Sequence, residues 1–134
     1  MISQKPQGLS SKERIKSKKD FDELYNSGKA LISSDKKIKA IYLINKNPEE
    51  SVKVAVVVSK KLGNAVWRNR IKRLLREAYR LNKQEIINSS GKTGKSIKLI
   101  LSAFALSEKK NKKIGLKEIV PGVLEIMNNV KKKL

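Results

Sequence analysis

The residues best able to do chemistry lie in one stretch, Lys60 to Arg80, KKLGNAVWRNRIKRLLREAYR. It carries Lys60, Lys61, Arg68, Arg70, Lys72, Arg73, Arg76 and Arg80 against a single acid, Glu77. At about 100° per residue, Arg68, Lys72, Arg76 and Arg80 form one inclined ridge, with Asn69 and Arg73 beside it. Trp67, Ile71, Leu74, Leu75, Ala78 and Leu81 gather on the other side, where a core would lie. An ordinary exposed helix mixes signs, because Glu–Lys pairs at i, i+4 each stabilise it by about 0.2–0.5 kcal/mol. Here the ridge neighbours repel instead. A run of phosphates would offset that repulsion. Arginine suits phosphate, since its planar fork meets two oxygens at once. Arg outnumbers Lys in this stretch although Lys dominates the rest of the chain. Asn64 and Asn69 add hydrogen bonds to sugar, phosphate or base edges. The plainer reading is a solvated face of unusual composition, which leaves the repulsion uncompensated.

Other chemistries find little support. The chain has no Cys and no His. Disulfides, thiolate nucleophiles, Cys/His zinc sites and imidazole bases are therefore excluded. Asp20 and Asp22 lie two apart on a helix and face different ways, and Glu49 and Glu50 fall in a turn. No set of carboxylates is placed to hold the metals of a nuclease. GKTGKS, Gly91 to Ser96, is similar to the end of a phosphate-binding P-loop. That pattern needs Gly where Ser89 stands, and it precedes a helix, whereas this stretch precedes an apolar strand. No catalytic residue is expected.

The whole composition agrees with a polyanion partner. The chain has 134 residues, 32 basic and 12 acidic, for a formal charge of +20. Self-repulsion of that size opposes a compact state, and nucleic acid would relieve it. An anionic membrane surface is the second candidate, but the apolar side of the basic helix is needed to pack a globular fold. The N-terminus has no apolar core of a secretory signal. No apolar run approaches the ~18 residues that span a bilayer. A cytoplasmic protein with no membrane partner is expected.

The elements that must position the ridge follow from pattern. Residues 1–16 are polar and basic and read as a mobile arm on a single domain spanning 1–134. A short helix over 18–27 is predicted, with Ser17 or Asp20 as cap, Gly28 as stop, and Phe21, Leu24 and Tyr25 on one face. IKAIYLI, 38–44, and VKVAVVVS, 52–59, read as strands joined in a hairpin through a turn at Pro48, the second being central. Asn64 or Gly63 opens the basic helix, which runs to about Leu81 or a turn beyond. NSSGKTGKS, 88–96, reads as a loop. IKLILS, 97–102, is a third strand. Leu116 to Val130 closes the chain as a helix that Pro121 would kink or shorten. The result is an α+β fold: a single-layer mixed sheet packed with helices, in the order α-β-β-α-β-α, with room for one extra short strand.

One family carries this set of features. The segment resembles the protein subunit of bacterial ribonuclease P, whose signature is a strand ending S-K-K followed by G-N-A-V-x-R-N-R-x-K-R-x-x-R. The chain matches it at Ser59, Lys60, Lys61, Gly63, Asn64, Ala65, Val66, Arg68, Asn69, Arg70, Lys72, Arg73 and Arg76. The resemblance extends over roughly 14–130. It includes the first helix with aromatics four apart, here Phe21 and Tyr25, the latter where Phe is common. It implies an RNA-binding protein cofactor that assists a catalytic RNA in removing the 5′ leader of precursor tRNA. It implies magnesium held mainly by that RNA, a left-handed crossover at the basic helix, and no protein partner. By resemblance, Phe21 and Tyr25 line a leader-binding cleft. Lys60, Lys61, Asn64, Arg68, Asn69, Arg70, Lys72, Arg73, Arg76 and Arg80 are expected to contact RNA. The alternative is a general basic RNA-binding protein, such as a ribosomal protein.

Overall fold

The computed structural model describes residues 9–134. Among the described residues seven α-helices and β-strands follow a 3-10 turn at Ser11–Glu13. They are α1 (Lys18–Ser27), β1 (Lys29–Ile32), β2 (Ile38–Asn45), β3 (Val52–Val57), α2 (Ala65–Thr93), β4 (Ser96–Ala103) and α3 (Leu116–Lys131). The strands form one sheet in the order β1-β2-β4-β3. β1 is the extra short strand, antiparallel to β2.

The expected hairpin does not form. β4 inserts between β2 and β3, antiparallel to β2 and parallel to β3. β3 is accordingly at an edge rather than in the centre. Burial explains the exchange. Ile97, Leu99, Ile100 and Leu101 of β4 are all buried, so this strand has apolar side chains for both faces. β3 buries Val52 and Val54 on one face and leaves Ala55 and Val57 half-buried on the other. The strand richest in two-sided burial takes the interior place.

Alternation of side chains divides the sheet into two faces. Ile38, Ala40, Tyr42, Val54, Leu99 and Leu101 pack with α2 and α3 into the main core. On the other face Ile100, Ile41, Leu43 and Ala55 meet Leu24 and Phe21 of α1 and Ile15. α1 begins and ends where its sequence directs. Ser17 Oγ accepts from Asp20 N at 3.1 Å, and the Gly28 N–H closes the last turn on Leu24 O at 2.8 Å.

α2 continues through the segment expected as a loop. Ile86 and Ser90 are buried, which keeps the chain helical past Asn88. Gly94 then ends the helix in the left-handed region, φ 68°, where glycine carries no Cβ penalty. α3 runs unbroken through Pro121 from a start at Leu116, with Glu118 folding back onto Gly115 N at 2.8 Å. Of the expected arm, residues 1–8 lie outside the described residues. From Leu9 onward the chain is packed: Leu9 and Ile15 are buried, and Ile15 N–H donates to Val54 O at 3.1 Å along the edge of β3.

Candidate nucleic-acid interface

α2 positions the basic ridge, and its first turn is built with care. Asn64 Oδ1 accepts from Trp67 N at 2.8 Å as the N-cap. Its Nδ2 and its backbone N–H both donate to the Glu108 carboxylate, at 3.0 and 2.8 Å. The Asn64 side chain, expected at RNA, is thus occupied within the protein. Gly63 lies between the Trp67 ring and the Glu108 side chain, which a Cβ would meet at 2.7 and 2.8 Å. Lys60 and Lys61 stand exposed on a 3-10 turn, Lys60–Leu62, capped by Ser59.

Trp67, Ile71, Leu75 and Ala78 are buried, as the apolar side requires. Leu81, assigned to that side, is 53% exposed, while Tyr79 is fully buried in its place. Arg68 remains half-exposed, its Nε donating to Gly63 O at 3.1 Å. Asn69 and Arg73 are exposed and Lys72 partly so. Among the described residues none of these three side chains makes a hydrogen bond or ion pair. Arg80 differs. It forms a two-point contact with Glu77, at 2.6 and 3.0 Å, so the free part of the ridge ends near Arg76. Arg70 differs too. Its guanidinium donates to Lys112 O at 3.3 Å and to Ile114 O, clasping the β4–α3 connection.

Arg76 reaches the sheet at its β3 edge. An open cavity of about 370 Å³ is lined by Arg76, by Phe21 of α1, by Ala55 and Val56 of β3, and by Arg14 and Ile15. Burial, then the charges of Arg14 and Arg73, depress the Arg76 pKa. Arg14 and Arg76 share the cavity lining, Arg73 is close enough for its charge to act on Arg76, and among the described residues no carboxylate lines the cavity, which favours an anion there. Phe21 presents its ring to this cavity while packing on Ile100 and Leu24. Tyr25, one turn on, is 55% exposed. The two aromatics thus stand on one helix beside the sheet, with a cationic wall opposite Phe21. Base stacking and phosphate pairing are both available there.

Sequence reasoning missed Arg14 and Ile15, which looked like part of a polar arm. The one signal was Ile15 itself, an isolated apolar residue in KERIKSKK. It also missed the sheet face left open beyond α1, where Lys39 Nζ lies 5.9 Å above the Phe104 ring centroid. No helix among the described residues is long and apolar enough to cross a membrane.

The family model Ribonuclease P matches residues 9–118. The ribonuclease P protein component of Alkaliphilus metalliredigens is 38% identical over 81 residues, covering 60% of this chain and 69% of that protein. The one from Staphylococcus haemolyticus is 42% identical over 74 residues, covering 55% of this chain and 61% of its own length. Among solved structures, Staphylococcus aureus RNase P protein superposes with a TM-score of 0.65 at 27% identity, covering 89% of this chain and 95% of that one. The RNase P protein from Thermotoga maritima shares the fold, with a TM-score of 0.68 at 22% identity, covering 87% and 96%.

Proposed function

The chain belongs to the ribonuclease P protein family, and on that premise we propose that it is the RNA-binding protein component of ribonuclease P, the endoribonuclease that removes the 5′ leader of precursor tRNA. It acts with a catalytic RNA. The observation that carries this reading is the meeting of Arg14 and Arg76 with Phe21 at one open cavity, with the charge of Arg73 acting on Arg76 beside it. The cationic ridge of α2 there reaches, through Arg76, the edge of the sheet beside the Phe21 ring.

The division of labour follows from what the side chains offer. The ridge of Arg68, Lys72, Arg73 and Arg76 neutralises phosphates of the RNA subunit and releases counterions as it does so. Phe21 and Tyr25 offer ring faces to bases of the single-stranded leader. Holding the leader adds binding energy remote from the scissile bond and fixes its register. Among the described residues no group of three or more carboxylate, His or Cys side chains is placed to hold a metal. In this reading the RNA holds the magnesium of the reaction, and this chain supplies binding. A cytoplasmic setting suits such a partner.

The test is equilibrium binding of the catalytic RNA across a salt series. The Arg68→Ala/Lys72→Ala variant should bind at least about tenfold more weakly, with a salt slope smaller by roughly one per lost phosphate contact. Its unfolding midpoint should stay near that of the wild type. Unchanged affinity in the folded variant would overturn the assignment of the ridge.

A further inference from the structure

The connection from β4 to α3 carries Lys109, Lys110, Lys112 and Lys113 and has no helix or strand. A segment so charged would serve solubility equally well if it were loose. It is instead fastened: Phe104 and Ala105 N–H donate to Lys37 O and Lys36 O, both at 2.8 Å, and the lysine-bearing part is held from the start of α2 and the turn before it. Glu108 N–H donates to Leu62 O at 2.7 Å, and the Glu108 carboxylate accepts twice from Asn64. Trp67 Nε1 donates to Asn111 O at 3.1 Å, and Arg70 donates to Lys112 O and Ile114 O. Inside the segment, Ser107 and Asn111 close a turn through Asn111 N–H to Ser107 O at 2.7 Å and Ser107 N–H to Asn111 Oδ1 at 3.1 Å.

These bonds use backbone carbonyls and the side chains of Glu108 and Asn111, and leave the ammonium groups alone. Lys109, Lys110, Lys112 and Lys113 are all exposed. Among the described residues their side chains have no hydrogen bond or ion pair. The nearby acids are engaged: Glu108 by Asn64, and Glu118 by Gly115 N–H. A shallow concavity of about 340 Å³ opens between Lys37, Lys110, Lys112 and Lys113, with Glu118 also in its lining. Its position relative to the ridge follows from helix geometry. Arg70 lies about 200° around α2 from Arg68, so the lysine segment flanks α2 on the side away from Arg76 and the Phe21 cavity. The exposed face of α2 thus has a cationic border on each flank.

We propose that the Lys109–Lys113 segment is a second phosphate-binding wall for the catalytic RNA, distinct from the cleft beside α1. This inference rests on the function proposed above. Its ligand is the sugar-phosphate backbone of a structured RNA segment seated on α2. The leader is set aside because its cleft lies on the opposite flank. Fixing the main chain in advance lowers the ordering entropy of binding, while long lysine stems adapt to phosphate spacing.

The test compares two variants of equal net charge. One is Lys109→Gln/Lys110→Gln/Lys112→Gln/Lys113→Gln. The other is Lys46→Gln/Lys92→Gln/Lys132→Gln/Lys133→Gln, whose lysines are exposed elsewhere. The first should bind the catalytic RNA about tenfold more weakly near physiological salt, with a salt slope smaller by about two. The control should lose much less. The preference for precursor with a leader over precursor without one should be the same in both. Equal losses in the two variants would make the effect one of overall charge and overturn the proposal. So would a loss confined to leader preference, or no loss at all. The Arg68→Ala/Lys72→Ala variant is measured in parallel. If it loses affinity while the lysine variant does not, the wall alone fails. If wild-type protein does not bind the RNA, the function on which the wall rests fails with it.

Discussion

Glu108 holds Asn64 at two points, Oε1 on the backbone N–H at 2.8 Å and Oε2 on Nδ2 at 3.0 Å. The pair joins residues 44 positions apart and fixes the cap of the helix that carries the ridge. Asn64→Ala should therefore lower stability by about 1 kcal/mol, the usual worth of an N-cap, and free Glu108 Oε2 while the backbone bond to Oε1 remains. Asn64→Asp would keep the cap but set a second carboxylate against Glu108, so it should not restore stability. Thermal unfolding of the two variants checks this. Wild-type stability in Asn64→Ala with weakened RNA binding would return Asn64 to the RNA.

Arg70 and Arg73 are three apart and should behave in opposite ways. Arg70 donates to Lys112 O and Ile114 O, while Arg73 is exposed. Arg70→Ala should destabilise by about 1–3 kcal/mol, since it strips carbonyl partners, and should speed proteolysis within 108–114. Arg73→Ala should weaken RNA binding with little change in stability. Limited proteolysis and urea unfolding of the two separate the roles.

Lys98 ties the interior strand β4 to α1, with Nζ 2.9 Å from Asp20 Oδ1 and 3.2 Å from Glu23 Oε1. The Lys98 hydrogen bond holds the Asp20 carboxyl below its usual range, against burial, and Ser17 helps. That stabilisation is present above the ordinary aspartate value of about 4 and is lost as pH falls through the lower folded value. The Asp20 bond in turn raises Lys98. Its share is full below the ordinary lysine value of about 10.4 and is lost as pH rises through the raised one. Lys98→Met should cost about 1 kcal/mol at neutral pH, with the difference from wild type shrinking below about pH 4. Urea unfolding at a series of pH values measures it. A difference that stays constant into acid would show that packing, not the ion pair, holds α1.

Tyr79 is fully buried, and its hydroxyl has no hydrogen-bond partner among the described residues. Burial pushes its ionisation far up, and the charge of Glu13 adds to this. Tyr79→Phe should leave stability unchanged or raise it by up to about 1 kcal/mol. Calorimetry that shows a loss instead would reveal a partner for the hydroxyl.

Local signals were legible where one residue type does one job. Ser17 and Gly28 bound α1 as read, and the apolar side of α2 is buried at Trp67, Ile71, Leu75 and Ala78. What depends on long-range competition was not. Nothing in Val52–Val57 reveals that β4 will displace it from the interior. The polar run after Asn88 stays helical because Ser90 is buried, and its hydroxyl donates to Lys95 O. The ridge was visible as a spacing, but its limits were not. Glu77 partners Arg80, and Arg70 and Asn64 are drawn to the β4–α3 connection, by contacts that only the fold creates. Arg14 joins the site for the same reason, through one bond of its neighbour Ile15 to Val54.

The measurement closest to the central claim is cleavage of a leader-bearing precursor tRNA at low magnesium, with this protein alone, the cognate catalytic RNA alone, and the two together. Efficient release of the leader only in the combined mixture is the predicted result. The advantage should shrink when Phe21 and Tyr25 are both replaced by Ala. Cleavage by RNA alone that the protein does not improve, or cleavage by the protein without RNA, would contradict the account.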